Sequence, residues 1–496
     1  MHARLVAGVV GISLFAAACG GGGGDSSADS TTAGTNNGAG ITAGAPATTS
    51  GATTTAIPKK NLPACPVKAL DSVTTPVQIT VWHGMNQALE IALQKLTDRY
   101  NTSQTKVKVT LANQVGYKET FNKYRTAAAG DRPNVVQIED VSLQAMIDSQ
   151  TVIPVQSCID AENYSTSDYA DRVLAYYTVG GALWPMPFNV SNPVLYYNTK
   201  AFEKAGLDPT KPPKTLEELR TMSEQLVKSG AVKYGLALDT STDAGGPWFL
   251  EQWFAKAGQF FADNDNGRSG RATKVLFDND FGNQLISFLQ TMVKDGLAVN
   301  VGRNPQSIDT LLKLVDKTQP AGMTINTSAA LGAVYSIVES GQYPDVGLGV
   351  AAMPGPTGDG NVLVGGASMY IVKGKTDQQT AASWDFIKFL TGAQQQAEWS
   401  VATGYVPIRK SSVDDPAVKD QWAKRPGFKV PYDQLITGKS TASTVGAILG
   451  PNNQIRETLQ KALDAIYGGS DVKSTLADAA KTANSALAQY AKDVGN

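Results

Sequence analysis

Glu139 and Asp140 close the apolar stretch "NVVQIED", and Arg456 stands in "NNQIRE" at the head of an amphipathic segment. A carboxylate at the end of a buried strand can accept hydrogen bonds from vicinal hydroxyls, and a guanidinium near a helix's positive end can fork onto a phosphate. Each has a plainer alternative: a loop acid capping the next helix, and a helix arginine paired with a neighbouring acid. Gly365 and Gly366 interrupt "VLVGGAS", where glycine marks close approach of a backbone or ligand, or else a simple bulge. Trp82, Trp248, Trp253, Tyr117 and Tyr405 fall near turns or element ends. From such places aromatic faces grip sugars or choline-like cations, with core packing as the alternative for each.

Other chemistries are poorly served. The 496-residue chain has two histidines, His2 and His83, which argues against a zinc hydrolase or a histidine-dependent triad. "DNDNGRSG", Asp263 to Gly270, has the look of a calcium loop, but aligning Gly267 to the required glycine puts Thr273 where glutamate is needed. It reads as a polar turn. "GLGVAA" runs into "MPGP", which forbids the helix a dinucleotide would need. With a formal net charge of −1 there is no basic stripe for nucleic acid. We therefore expect no catalytic residues, no metal and no cofactor.

These residues must be held by repeated strand–helix units. "VQITVWHG", "KVKVTLAN" and "PNVVQIED" read as strands, separated by the helical patterns "QALEIALQKLTDRYN" and "YKETFNKYRTAAAG". That order predicts a parallel sheet covered by helices on both faces. The pattern restarts at "PVLYYN", followed by a helix with a Thr215–Glu218 capping box and Gly230 as its stop. "YGLALDT", "AGMTIN", "VGLGVAAMPGP" and "VLVGGASMYIV" are expected strands, and "SWDFIKFLTGAQQQAEWSVATG" one long helix. The length exceeds what a single core usually serves, so the expectation is an α/β protein of two lobes. Between the halves lies "PMPFNVSNP", whose prolines and asparagines are expected to break strand register where the chain changes lobes.

The N-terminus carries its own signals. "LVAGVVGISLFAAA", Leu5 to Ala18, fits a secretory apolar region, and "AAAC" resembles a bacterial lipobox in which Cys19 becomes the lipid-modified first residue. Residues 1–18 are thus expected to be removed. Residues 19–60 are rich in Gly, Ser, Thr and Ala and cannot bury enough surface to fold, leaving a tether with a reach of roughly 30–40 Å. In an exported chain the remaining pair, Cys65 and Cys158, leans towards a disulfide, with two buried thiols as the alternative.

From about Val77 to Leu487 the chain resembles the extracellular solute-binding proteins of ABC importers, the group that includes maltose-binding proteins. "PVLYYNTKAFEKAGLDPTKPPKTLEELRTMSEQL" is similar to that group's most characteristic segment. "VWHGM", "PFNVSNPVLYYN", "LVGGAS", "TGYVPI" and "NNQIR" look most like its glycerol-3-phosphate and glycerophosphodiester-binding subfamily. The resemblance implies a two-lobed periplasmic-binding-protein-like fold, with residues 74–187 and 357–405 in one lobe and 188–356 and 406–496 in the other. It implies ligand contacts at Tyr117, Glu139, Ser191, Trp248, Ser328, Gly365, Gly366, Tyr405 and Arg456. In that scheme Glu139 takes the glycerol hydroxyls. Arg456, the hydroxyls of Ser191, Ser328, Tyr117 and Tyr405, and the Gly366 amide take the phosphate. The implied partners are a small ligand and ABC permease subunits, at the outer face of the cytoplasmic membrane, with the chain a monomer anchored by lipid. Competing expectations are a receptor of this fold for a neutral oligosaccharide, with Arg456 a structural ion-pair residue, an exported phosphodiesterase, and an adhesive surface protein with no ligand site.

Overall fold

The computed structural model describes residues 61–495 apart from 244, 304–307, 359–360 and 439–440. The expected signal segment, Cys19 and the tether lie outside the described residues. The strands, in chain order, are β1 (Val77–His83), β2 (Val107–Asn113), β3 (Val135–Glu139), β4 (Val152–Ile153), β5 (Thr178–Val179), β6 (Ala182–Leu183) and β7 (Met186–Ser191). They continue with β8 (Pro193–Asn198), β9 (Tyr234–Leu238), β10 (Ala298–Asn300), β11 (Ala321–Thr327), β12 (Leu348–Ala352) and β13 (Gly365–Val372).

Two sheets result. The first runs β2-β1-β3-β13-β4, with β7 also paired to β13, and the second runs β10-β9-β11-β8-β12. β1 is parallel to β2 and β3, whereas β13 is antiparallel to β3, β4 and β7. In the second sheet β9 is parallel to β10 and β11, and β8 is antiparallel to β11 and β12. The α/β class expected from the strand–helix alternation is what the chain adopts, but the sheets, expected to be mostly parallel, are mixed, because β13 and β8 run antiparallel to their neighbours. Val135, Val136 and Ile138 in β3 are fully buried, as are Val194, Leu195 and Tyr196 in β8, which accounts for apolar runs without alternation.

The segment "PMPFNVSNP" differs from its expectation. Its first half is a strand, β7, whose residues through Ser191 still pair with β13. Pro187 is accommodated because β7 has one partner strand, its other side making only a bridge from Val190 to Val406, and because the β7–β13 register slips between Ala367 and Ser368, opposite it. Asn192 alone then separates β7 of the first sheet from β8 of the second. Its side chain is tied on both sides, donating to Pro431 O at 2.9 Å and accepting from Gln434 Nε2 at 2.5 Å.

Two further readings are corrected. "SWDFIKFLTGAQQQAEWSVATG" forms two helices, Asp377–Leu390 and Ala393–Thr403, parted at Thr391–Gly392. The strand in "VLVGGASMYIV" starts at Gly365, so the glycines open it rather than interrupt it. The capping box at Thr215 forms as expected, with Glu218 N donating to Thr215 Oγ1 at 3.0 Å. "DNDNG" is a turn in which Asn264, Asp265 and Asn266 all have left-handed backbone angles. Asn266 Oδ1 stabilises it by accepting from Phe261 N at 2.7 Å and Ala262 N at 3.0 Å.

Cys65 and Cys158 form a disulfide, with Cα atoms 4.9 Å apart and 93 residues between them. It fastens the first described turn to the helix Val155–Glu162. Closing so long a loop limits the unfolded chain, so replacing both cysteines by alanine is expected to cost about 2–4 kcal/mol. Chemical denaturation of the oxidised protein and the double variant measures this, and coincident midpoints would contradict it.

Candidate functional site

A cleft of about 590 Å³ opens where the C-terminal ends of β3 and β7, the start of β13 and the heads of several helices converge. The location follows the general preference of α/β sheets for binding beyond strand carboxyl ends. Tyr117, Glu139, Ser191, Trp248, Gly365, Gly366, Tyr405 and Arg456 all line it. Ser328 does not. It is fully buried beneath the floor, where its Oγ accepts the Asn192 amide at 3.3 Å, so the expected phosphate contact from this hydroxyl is not offered. Trp82 and Trp253 are core residues. The first lies under Lys123 Nζ, 4.4 Å from its ring centre, and the second donates through Nε1 to Pro354 O at 3.0 Å.

Each wall residue is placed by its element. Glu139 ends β3, Ser191 ends β7, and Tyr117 begins the helix Tyr117–Thr126. Tyr405 follows Gly404, whose φ of 100° turns the chain out of the helix Ala393–Thr403. Its ring stacks on Trp399 with centroids 5.7 Å apart and an interplanar angle of 17°. The glycine pair is explained by its neighbours. A Cβ on Gly365 would lie 2.7 Å from Trp248 Cζ2, so the missing side chain is what admits the indole to the wall. Gly366 has φ 102°, and a Cβ there would come within 2.0 Å of the Asn189 carbonyl oxygen.

A chain of hydrogen bonds fixes the two tyrosine hydroxyls. Gly84 N donates to Gln137 Oε1 at 3.0 Å, Gln137 Nε2 to Asn189 Oδ1 at 2.7 Å, and Asn189 Nδ2 to the Tyr117 hydroxyl at 2.7 Å. That hydroxyl lies 3.0 Å from the Tyr405 hydroxyl. Gln137 and Asn189 are fully buried, so the network presents both phenols at set positions. Neither residue stood out in the sequence. The one signal was that each is a lone amide inside an otherwise apolar strand.

Arg456, only 2% exposed, lies in the first turns of the helix Asn452–Tyr467. Its Nε and Nη2 donate to Glu251 Oε1 and Oε2, each at 2.8 Å, and Nη1 donates to Thr242 O at 3.3 Å. Glu251 comes from the helix Gly246–Lys256 and, like Asp243, was not foreseen from sequence. Burial opposes the charge of Arg456, but the carboxylates of Glu251, Asp140 and Glu139 outweigh it and keep the guanidinium firmly protonated. Glu139 is held well above the usual carboxylate range, first by burial and then by the carboxylates of Asp243 and Asp140, with Arg456 pulling the other way.

Asp140 accepts from the Tyr176 hydroxyl at 3.0 Å, and burial pushes its pKa up from 3.8 to about 7, with Arg456 opposing. The folded protein thus binds this proton more tightly than the unfolded chain, so stability falls as pH rises from about 4 to about 7. Asp140→Asn keeps an acceptor for Tyr176 and removes the penalty. We expect the variant to match the native protein near pH 4 and exceed it in stability near pH 8. Denaturation at both pH values measures this, and an equal gain at each would contradict it.

Among the described residues no group of three or more His, Cys, Asp or Glu is arranged to hold a metal ion, and no helix is long and apolar enough to cross a membrane.

The family described as bacterial extracellular solute-binding protein matches residues 95–427. The sn-glycerol-3-phosphate-binding periplasmic protein UgpB of Brucella melitensis is 28% identical over 420 residues, covering 83% of this chain and 93% of that protein. The protein of the same name from Shigella flexneri is 29% identical over 432 residues, covering 85% and 94%. Among solved structures, UgpB from Mycobacterium tuberculosis in complex with glycerophosphocholine superposes with a TM-score of 0.69 at 21% identity, covering 84% of this chain and 99% of that one. The sugar-binding protein MalE from Xanthomonas citri gives 0.67 at 18% identity, covering 83% and 98%.

Proposed function

The chain belongs to the bacterial extracellular solute-binding proteins, and from that premise we propose that it captures a glycerophosphate in the cleft. The ligand is a glycerophosphodiester such as glycerophosphocholine, or sn-glycerol 3-phosphate. The observation that carries this reading is Arg456: a buried guanidinium lining the cleft with N–H groups left over, and Glu139 lining the same cleft. The Glu139 carboxyl lines the cleft and makes no capping bond to the turn that follows it, which leaves it to accept from a glycerol diol. Trp248 supplies an aromatic face for a quaternary ammonium. The tyrosine pair and Ser191 supply hydroxyls for phosphate oxygens.

No reaction is part of this reading. The relatives are binding proteins by name, and that supports a receptor rather than an enzyme. Delivery to a membrane permease completes the proposal, with Cys19 as the lipid anchor and the protein acting as a monomer. Closure of the lobes about the Ser191–Pro193 crossing would favour the bound state if ligand contacts both walls.

One observation favours the neutral-sugar reading. Arg456 is bidentately paired with Glu251, as a purely structural arginine would be. Calorimetric titration of the purified protein with glycerophosphocholine, glycerol 3-phosphate and maltose separates the two. Saturable binding of a glycerophosphate and none of maltose is expected. Binding of maltose alone would overturn the ligand assignment and leave the family intact.

A further inference from the structure

Glu251 sits on a helix whose every residue, Gly246 to Lys256, is buried. A carboxylate there needs a partner, because an unpaired buried charge is strongly unfavourable. It takes Arg456 side-on, one oxygen on Nε and the other on Nη2, both at 2.8 Å. A guanidinium has five N–H groups. Glu251 uses two and the Thr242 carbonyl one, which leaves a single N–H on Nη1 and a single N–H on Nη2. Two donors on the terminal nitrogens can hold two oxygens of one phosphate.

The pairing also fixes the charge. Arg456 is already matched by Glu251, and the carboxyl groups of Glu139 and Asp140 act on the same guanidinium, while Asp243 faces Glu139. A phosphodiester brings one negative charge to this setting. A phosphomonoester, with its second pKa near 6, brings almost two at pH 8. The extra charge gains no further bond from Arg456, since both prongs of the fork are used by either ligand, and the other arginine lining the cleft, Arg425, is itself paired with Glu339.

We propose that Glu251 is a positioning residue that restricts Arg456 to one two-pronged grip and makes the cleft favour monoanionic phosphodiesters over dianionic phosphomonoesters. This rests on the glycerophosphate reading and narrows it. The role is distinct from that of a strut, because a strut would support both ligands alike.

Calorimetric titrations of the full chain near pH 8 with glycerophosphocholine and with glycerol 3-phosphate test it on the native protein, Glu251→Gln and Glu251→Asp. The native protein is expected to bind the diester at least about tenfold more tightly. Glu251→Gln keeps an acceptor but drops the charge, and is expected to shrink that ratio about tenfold, chiefly by tightening glycerol 3-phosphate. Glu251→Asp keeps the charge and is expected to hold the ratio within about threefold. A Gln variant in which both affinities fall together at constant ratio overturns the proposal, as does a native protein that prefers the monoester. A native protein that binds neither ligand overturns the glycerophosphate reading itself, and that outcome is visible before any variant is made. Should the Gln variant not fold, the methyl ester of glycerol 3-phosphate decides. It has the same glycerol and one negative charge without a cation, and equal affinity for it and the monoester would overturn the proposal.

Discussion

Arg456→Ala is expected to lose glycerophosphate binding by about a hundredfold to ten-thousandfold. Hydrogen bonds to charged groups are worth about 1.5–3 kcal/mol each, two are available to the phosphate, and every 1.4 kcal/mol is about tenfold. The same change strips Glu251 of its bidentate partner. Removing one member of a buried ion pair costs about 3–5 kcal/mol, so the variant is also expected to denature earlier. These two losses can be separated. Arg456→Met combined with Glu251→Met removes both charges and fills similar volume, which is expected to restore most of the stability and none of the binding. Denaturation midpoints and titrations on the three proteins measure this. A double variant that regains ligand affinity would show that the guanidinium never touched the phosphate.

Gly366→Ala is the second large effect, and it works through the backbone. The residue has φ 102°, and its added Cβ would sit 2.0 Å from the Asn189 carbonyl oxygen. Left-handed strain in a non-glycine residue costs about 1–3 kcal/mol, and a clash with main chain cannot be relieved by a rotamer change. We expect a loss of about 3 kcal/mol or more, or a chain that does not accumulate in folded form. What remains folded is expected to bind poorly, because Asn189 must move and its side chain holds the Tyr117 hydroxyl. Gly365→Ala is the informative contrast. There the conflict is with Trp248 Cζ2, a side chain, so binding is expected to suffer more than stability. Thermal melts and titrations of both variants check this, and indistinguishable behaviour would contradict the separate roles of the two glycines.

The difference between these glycines illustrates what a sequence can carry. From the residues alone the glycine pair reads as lying inside a strand, open between close approach and a simple bulge. The structure puts it at the strand's head and selects close approach. Which neighbour each one admits was not legible, because Trp248 and Asn189 reach the pair through tertiary packing. The same division runs through the fold. β3 and β8 are largely apolar and buried, so their local pattern is also their tertiary environment. β7 was hidden because its prolines and asparagines read as a break. An edge strand with a register slip tolerates them, and only its partner β13 reveals this. The helix break at Gly392 was masked by continuous apolar spacing on both sides of it.

The cleft shows a similar limit. Most of the residues expected to face ligand do lie on one wall surface, since motif order places strand ends and helix heads together. Ser328 fails because a hydroxyl's direction depends on the crossing at Asn192, to which it is bonded. Glu251 was invisible for a related reason. On a helix that is buried on every side, a glutamate looks like an ordinary helix former until its partner, 205 positions away, is placed against it. Asn189 and Gln137 are the same case with neutral groups: they matter through what they orient, not through any chemistry of their own.

The most direct test of the account is a crystal structure of the protein grown with glycerophosphocholine. The account predicts one phosphate held by the two remaining N–H groups of Arg456, with heavy-atom distances of roughly 2.7–3.0 Å, the glycerol hydroxyls against Glu139, and Glu251 still paired side-on. A ligand seated in the cleft with its phosphate away from Arg456 would contradict it, as would crystals in which the cleft stays empty at saturating ligand.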